Sequence, residues 1–371
     1  MESRAAVLWG IGEPWKVENI TIDDPGPNEV LVKTKAAGMC HSDEHAVTGD
    51  MLLPHFPCIG GHEGAGEVLA IGSNVTSVEV GDHVSMSFIP SCGRCKWCAS
   101  GRQNLCDLGS KLFDLGMITD GRVAHHLGGE DLARMCQVGS FAEHLLVAET
   151  AVVKVEKDLP WHAVALVSCG VATGFGSSVN RANVRPGDNV AVIGCGGIGM
   201  NAIQGAKISG AKRVIAIDPV EFKREKAMEF GATHVYSSIE EATAEVGALT
   251  WGEMCDKVIL TVGVMTGDLV EPALTLTSKG GTCVVTAVAS MLDNDAKLNS
   301  FMFAMMNKEL KGCLFGSGNP RFDIPLLLSM YREGHLKLDE LVTKTYTLDQ
   351  INEGYQDMRD GKNIRGVIEF A

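Results

Sequence analysis

No uninterrupted apolar run in this chain approaches the ~18 residues needed to cross a bilayer, so a transmembrane helix is not expected. The N-terminal residues, Met1-Glu-Ser-Arg-Ala-Ala, lack a basic segment followed by an apolar core, and no secretory leader is expected from them. Positive charge is in short supply: 32 Lys and Arg stand against 46 Asp and Glu, a formal net charge of −14. A surface of that sign repels phosphate backbones and anionic lipid, so partners from nucleic acid or membrane are not expected. Internal repeats and low-complexity tracts are absent as well. These absences leave a cytoplasmic globular protein as the expectation. With 371 residues, 45% hydrophobic and 21% charged, the chain has an ordinary globular composition and a length suited to two domains.

What is present centres on Val190 to Asp218. An apolar run, Val190 to Ile193, ends in Gly194-x-Gly196-Gly197-x-Gly199. A helix-compatible segment follows from Met200 to about Ser209, and a second apolar run, Val214 to Ile217, stops on Asp218. Strand, glycine turn, helix and strand form a dinucleotide-binding unit when each glycine has its steric job. Gly194 permits the turn, Gly196 lets backbone approach a pyrophosphate, and Gly199 allows close helix–strand packing. The helix N-terminus offers N–H groups and positive dipole to the phosphates. Asp218 stands where a carboxylate accepts hydrogen bonds from the adenosine ribose and repels a 2′-phosphate, which favours NAD over NADP.

Twelve cysteines without a leader are more often metal ligands, catalytic thiols or small buried groups than disulfides. Cys92-x-x-Cys95-x-x-Cys98 followed by Cys106 is the most specific short feature. Four thiolates so spaced can wrap a tetrahedral Zn²⁺, and the loop-like residues between them bury little, so metal bonds would supply the order. An iron–sulfur cluster or a redox dithiol are the alternatives. Two other patches are dense in chemistry. Cys40-His41-Ser42-Asp43-Glu44-His45 reads as a loop entering a helix, and Gly60-Gly-His62-Glu63-Gly surrounds a His-Glu pair with glycine. His62 taken alone would be a satisfied core histidine, and Cys169, in an apolar helical stretch from Leu159 to Asn180, a buried hydrophobe.

The remaining pattern is coarser. The first 38 or so residues look β-rich, and beyond Asp218 strands and helices alternate, which predicts a parallel sheet with right-handed crossovers. Asp107 to Val138 is expected to be a long surface loop, with His125 and His126 solvated. Phe301 to Leu310 has Met and Phe at helical spacing, expected to pack in a core or at a subunit contact. Thr347-x-x-Gln350 is a capping signal for a final helix.

In this order, Cys40-His41-Ser42-Asp43, Gly-His62-Glu63, the four-cysteine lobe, Cys169, the glycine turn and Gly361-Lys-x-Ile-Arg365, the chain resembles the zinc-dependent medium-chain alcohol dehydrogenases over nearly its whole length. The resemblance implies an α/β protein: a β-rich GroES-like catalytic domain at 1–171 and 316–371, with a structural-zinc lobe near 91–107, and a doubly wound Rossmann NAD domain at 172–315. It implies two zinc ions per subunit and NAD(H). Cys40, His62 and Cys169 would hold the catalytic zinc, and Cys92, Cys95, Cys98 and Cys106 the structural one. Asp43 would orient His62, and Glu63 would approach the metal. Ser42 would accept the alcohol proton and pass it through the nicotinamide ribose to a solvent-facing His45. Thr173 would contact the nicotinamide side, His41 and Arg365 the pyrophosphate, and Asp218 with Lys223 the adenosine ribose, beside Gly194, Gly196, Gly197 and Gly199. The implied reaction interconverts a primary alcohol and its aldehyde by hydride transfer, with zinc lowering the pKa of the bound hydroxyl.

The length and the Asp107–Val138 segment also resemble bacterial nicotinoprotein alcohol dehydrogenases, which retain NAD(H) and recycle it with an external electron acceptor. The phosphate-binding residues are compatible with retained and with exchangeable cofactor. A thiol-adduct formaldehyde dehydrogenase of the same superfamily shares the metal chemistry, but no clamp for an anionic adduct stands out. A non-catalytic zinc module would have no use for Ser42 and His45. The family forms homodimers or homotetramers, and Phe301 to Met306 could serve such a contact.

Overall fold

A computed structural model describes every residue from Met1 to Ala371. The chain divides into two compact units: Met1–Cys169 with Asn319–Ala371, and Gly170–Gly318.

The second unit is built on one six-stranded sheet in which every neighbouring pair is parallel. In space the strands run His234–Tyr236, Arg213–Ile217, Asn189–Ile193, Cys255–Leu260, Thr277–Val285, Glu309–Gly312. Numbered along the chain, this is the order 3-2-1-4-5-6, the doubly wound arrangement that the alternating apolar runs predict. Val190, Val192, Val214, Ile215 and Val258 have no exposed surface, as expected of parallel strands covered on both faces. The order reverses between Asn189–Ile193 and Cys255–Leu260, and that reversal is where such sheets bind ligands.

The Met/Phe stretch divides: Phe303 packs against the core of this unit, whereas Phe301 and Met305 stay outside it. Its helix, Ser300–Met305, has six residues, and Phe301 and Met305 are 70% and 62% exposed. The chain then leaves as the edge strand Glu309–Gly312.

In the first unit the strand Glu29–Met39 is central. It pairs antiparallel with Glu63–Ile71, His144–Ala148 and Arg365–Glu369. Its alternation buries Val30, Val32 and Thr34 and leaves Leu31, Lys33 and Lys35 half covered. The register sets Gly38 opposite Glu63 and Met39 opposite Gly366. Three strand ends, distant in sequence, thereby deliver Cys40, His62 with Glu63, and Arg365 to one place. Gly38 is needed there, because a Cβ on it would collide with the Glu63 carboxylate.

The Asp107–Val138 stretch is a correction. Short strands at His125–Leu127, Glu130–Asp131 and Ala133–Arg134 stitch it into a second, six-stranded sheet. His125 is fully buried rather than solvated, and only His126 remains partly open. Arg134, also buried, explains this: Nη1 meets His125 Nδ1 at 3.0 Å and Nη2 donates to Gln137 Oε1 at 3.0 Å. A buried guanidinium needs acceptors, and the loop folds so as to supply them.

Trp161–Ala182 is one helical stretch with wider, π-type turns at Val167–Val171 and Ser177–Ala182. It is long and apolar enough to cross a membrane, but 89% of its apolar window is buried within the fold, so its apolarity belongs to packing. The first wide turn contains Cys169, and such turns often re-aim a functional side chain. The final helix starts as the Thr347–Gln350 signal predicts, with a capping box before Ile351–Arg359.

Candidate functional site

Cys40 is the N-cap of the helix His41–Thr48 and keeps an extended backbone, φ −122°. That lets the chain leave the strand Glu29–Met39 and turn at once into the helix. The Asp43 carboxylate ties this corner together. Oδ2 accepts from the Cys40 N–H at 3.3 Å, and Oδ1 accepts from the Gly61 N–H at 3.0 Å. Oδ1 also lies 3.1 Å from His62 Nδ1. An imidazole so held is protonated on Nδ1 and presents Nε2 as its lone-pair nitrogen.

His62 Nε2 is buried and has no hydrogen-bond partner. An orphaned nitrogen in a dry site is costly unless something else satisfies it. It turns toward thiols: donor atoms of Cys40, His62, Glu63 and Cys169 all lie within 4.8 Å of one another, and all four residues are buried. Two thiols, an imidazole and a carboxylate form a donor set suited to Zn²⁺ with one changeable position. Phe88 packs edge-on to His62, ring centroids 5.6 Å apart.

The charges agree with a cation site. The Cys169 thiol, donating to Cys40, holds Cys40 well below the ordinary thiol range, and His62 and Arg365 add to this. Cys169 is pushed up by the same contact and by burial. Burial works to lower His62, but attraction to Asp43 and Cys40 raises it overall. Burial lifts Glu63 to about 7 against the pull of Arg365. Arg365 itself is buried, its Nη2 on Glu63 Oε2. The structure thus places Arg365 beside the thiol cluster, and this side of its guanidinium is occupied by Glu63.

Ser42, His41 and His45 stand on the helix that Cys40 caps. Ser42 Oγ lies 3.7 Å from Cys40 Sγ. His41 is exposed, its ring centroid 6.5 Å from that of His45. His45 does not face solvent as the resemblance implies: it is 2% exposed, alongside buried Asp43, Glu44 and Ala46 of the same helix.

The four lobe cysteines also converge, with donor atoms within 4.8 Å. Cys92 Sγ and Cys98 Sγ are 3.9 Å apart. A tetrahedron with Zn–S bonds of about 2.3 Å has edges of about 3.8 Å, whereas a disulfide would need about 2 Å. Backbone N–H groups of Cys95, Cys98 and Cys92 point to the sulfurs of Cys92, Cys95 and Cys106. Those of Asp107 and Cys98 hold Cys95 down to about 6, while burial pushes Cys106 up to about 12.

In the second unit the glycine turn has the expected shape. Gly194 has φ +95°, and a Cβ on Gly199 would strike the Gly194 carbonyl. Gly196 caps the helix Gly197–Ile208 without a side-chain partner, and a Cβ there would meet open space. The first N–H groups of the helix therefore have room for an anion. Asp218 is buried: Oδ2 accepts from the Cys195 N–H at 2.8 Å and Oδ1 from the Val220 N–H at 2.9 Å. Lys223 is half-buried on the next helix, Glu221–Glu229. Its neighbour Arg224, which the sequence did not single out, is the cation bonded to this turn, donating to the carbonyls of Asp218 and Pro219 at 2.8 Å each. Thr173 Oγ1 is buried and unpartnered, ready for an acceptor or donor from a ligand.

Asp43→Asn keeps the size of the side chain but weakens the hold on His62. Zinc affinity of the Cys40–His62–Cys169 cluster is expected to fall about 10–100-fold, measured by competition with a chelator, with the fold unchanged. Unaltered affinity would remove Asp43 from the role of orienting His62.

Residues 26–157 match the alcohol dehydrogenase GroES-like domain, and residues 197–332 match the zinc-binding dehydrogenase domain. Alcohol dehydrogenase B of Mycobacterium tuberculosis is 49% identical over 371 residues, covering 100% of this chain and 99% of that protein. The NDMA-dependent alcohol dehydrogenase of Amycolatopsis methanolica is 50% identical over 368 residues, covering 99% of each. At greater distance, the S-(hydroxymethyl)glutathione dehydrogenase of Saccharomyces cerevisiae is 35% identical, covering 98% of this chain and 95% of that one. Among solved structures, benzyl alcohol dehydrogenase of Acinetobacter calcoaceticus superposes with a TM-score of 0.92 at 31% identity, covering 100% of both chains.

Proposed function

The chain belongs to the zinc-dependent medium-chain alcohol dehydrogenases, NAD(H)-using alcohol oxidoreductases, and from that premise we propose that Cys40, His62 and Cys169 hold its catalytic zinc and that it keeps NAD(H) bound between turnovers, with an external acceptor reoxidising it. The observation that carries the metal assignment is the orphaned Nε2 of His62 among two buried thiols. Retention of the cofactor is supported by likeness to the relative named for NDMA dependence.

When bound, zinc supplies Lewis-acid polarisation of the substrate oxygen and NAD⁺ supplies the hydride acceptor. The chain's own residues do the rest. Asp43 keeps the His62 ring in one tautomer and orientation. Glu63, neutralised in part by Arg365, balances charge beside the thiols. Ser42 accepts the substrate hydroxyl proton, and His45 takes it further out. Phe56, Phe88, Phe113 and Leu115 pack around Cys58 and Cys136 and keep water from the His62 side. Gly194, Gly196, Gly197 and Gly199 seat the pyrophosphate, with His41 and Arg365 as side-chain contacts. Asp218 and Lys223 receive the adenosine ribose, and Thr173 the nicotinamide side.

Primary alcohols are the substrate class, because the relatives at about half identity are alcohol dehydrogenases and the adduct-using enzyme stands further off. The twelve free thiols suit the cytoplasm. Exposed Phe301, Met302 and Met305 suit a contact between copies in a homodimer or homotetramer.

Anaerobic denaturation of the pure protein tests retention, with released zinc and nucleotide measured together. Two zinc ions and one NAD(H) per chain are expected. Zinc without nucleotide would make the cofactor an exchangeable one.

A further inference from the structure

With Ser42 and His45 as proton carriers, the proton arrives at a histidine that solvent does not reach. His45 is 2% exposed, and its Nε2 is buried without a hydrogen-bond partner. Its other nitrogen, Nδ1, lies 3.5 Å from Asp50 Oδ2. The Asp50 carboxyl is open to water, 26% exposed. It is the group that stands between this ring and solvent on the Nδ1 side.

The backbone fixes the pairing. The helix His41–Thr48 ends at Gly49, φ +84°, which only glycine adopts without strain. The N–H groups of Gly49 and Met51 both donate to the His45 carbonyl at 3.0 Å. Asp50 is thus clamped between two hydrogen bonds to the residue whose ring it faces. Thr48 Oγ1 donates to Asp50 Oδ2 at 2.7 Å and fixes the carboxylate. An acid at a helix C-terminus is electrostatically unfavourable, so its position there is not explained by helix stability. The Thr48 hydroxyl, and His45 behind it, hold Asp50 below the usual carboxylate range against partial burial, so it is ionised at neutral pH. Other titratable groups on or against this helix are exposed His41, Asp43 held on His62, Glu44 paired with Arg359, and buried Tyr355.

We infer that Asp50 is the positioning and proton-exit residue of the relay: its carboxylate holds His45 with the Nδ1–H outward, keeps Nε2 as the inner acceptor, and takes the Nδ1 proton for release to water. One proton binds at Nε2, one leaves Nδ1 for Asp50 Oδ2, and water removes it from the carboxyl. Before the next turnover the ring takes a proton from water at Nδ1 and gives its Nε2 proton to water, so each turnover moves one proton, net, from substrate to solvent. This rests on the assignment of Ser42 and His45 as proton carriers.

The test has a ground-state and a kinetic arm. In ¹⁵N-histidine NMR of the purified protein, His45 is expected as the Nδ1–H tautomer in the wild type and to lose that preference in Asp50→Ala. An unchanged tautomer in Asp50→Ala would overturn the positioning role. In steady state, Asp50→Asn is expected to lower kcat for alcohol oxidation about tenfold with KM nearly unchanged. Asp50→Glu, or added imidazole buffer with Asp50→Asn, should recover most of that loss. Wild-type kcat in Asp50→Asn, or a loss that neither change recovers, would overturn the exit role. His45→Gln separates the two assignments. If His45→Gln is slow and Asp50→Asn is not, only the Asp50 inference falls; if His45→Gln is also unimpaired, the relay itself does.

Discussion

Cys40→Ala is expected to cut alcohol turnover by about 10⁴-fold or more, and to remove one of the two zinc ions while the fold stands. The size follows from what is lost. A Lewis acid at the reacting oxygen is worth several kcal/mol, and each ~1.4 kcal/mol is tenfold in rate. Without Cys40, only Cys169, His62 and the Arg365-paired Glu63 remain, and one of the two sulfur ligands is gone. The structural cost is small by comparison. Alanine adopts the extended backbone that Cys40 has at the helix N-cap, and loss of a cap costs only ~1 kcal/mol. Metal analysis, thermal melting and steady-state rates on one preparation check all three parts. Full activity with two zinc ions in Cys40→Ala would show that the reaction is run elsewhere.

The glycine turn was legible in the sequence because each of its jobs is local. Gly194 needs positive φ, Gly199 needs to lack a Cβ, and Gly196 needs empty space, and all three are set within a few residues. The four-cysteine lobe was legible for the same reason. The thiol–imidazole cluster was not, except through the family resemblance. Cys40, His62 and Arg365 meet only because Gly38 pairs with Glu63 and Met39 with Gly366, and such pairings leave no mark on any short window. Cys169 in an apolar helix looks like a core residue until the wide turn that aims it is seen.

Burial was the main source of error, for a common reason. Polarity predicts exposure only when no partner is available elsewhere in the chain. His125 is buried because the Arg134 guanidinium meets its Nδ1 within the fold. His45 is buried because its helix turns that face inward and Asp50 comes back over it. The Phe301–Leu310 stretch, expected in a core or at a subunit contact, divides: Phe303 packs on the core of its unit and Phe301 is exposed.

Cys98→Ala is expected to release the other zinc ion and to disorder the lobe, with a stability loss of several kcal/mol, while the Cys40–His62–Cys169 cluster keeps its metal and most of its activity at low temperature. Residues 92–106 have little else to order them. Their helical pieces are Lys96–Ala99 and Gln103–Leu105, and the buried side chains are Cys98, Asn104 and Cys106. Lys96 and Arg102 sit over the Trp97 ring at 5.1 and 4.7 Å. Exposed cation–π contacts are worth ~0.5–1 kcal/mol each, whereas fixing backbone costs ~1–2 kcal/mol per residue. Only a metal, worth ~10–16 kcal/mol in small zinc-held folds, is on the scale required. The disordered lobe would expose Arg94, Lys96 and Arg102 to trypsin, so limited proteolysis should cut Cys98→Ala there and spare Cys40→Ala. The two variants therefore part company: one loses chemistry with a protected lobe, the other loses the lobe with the chemistry intact. Cys98→Ala protein that resists trypsin and holds two zinc ions would mean that the lobe is not ordered by its metal.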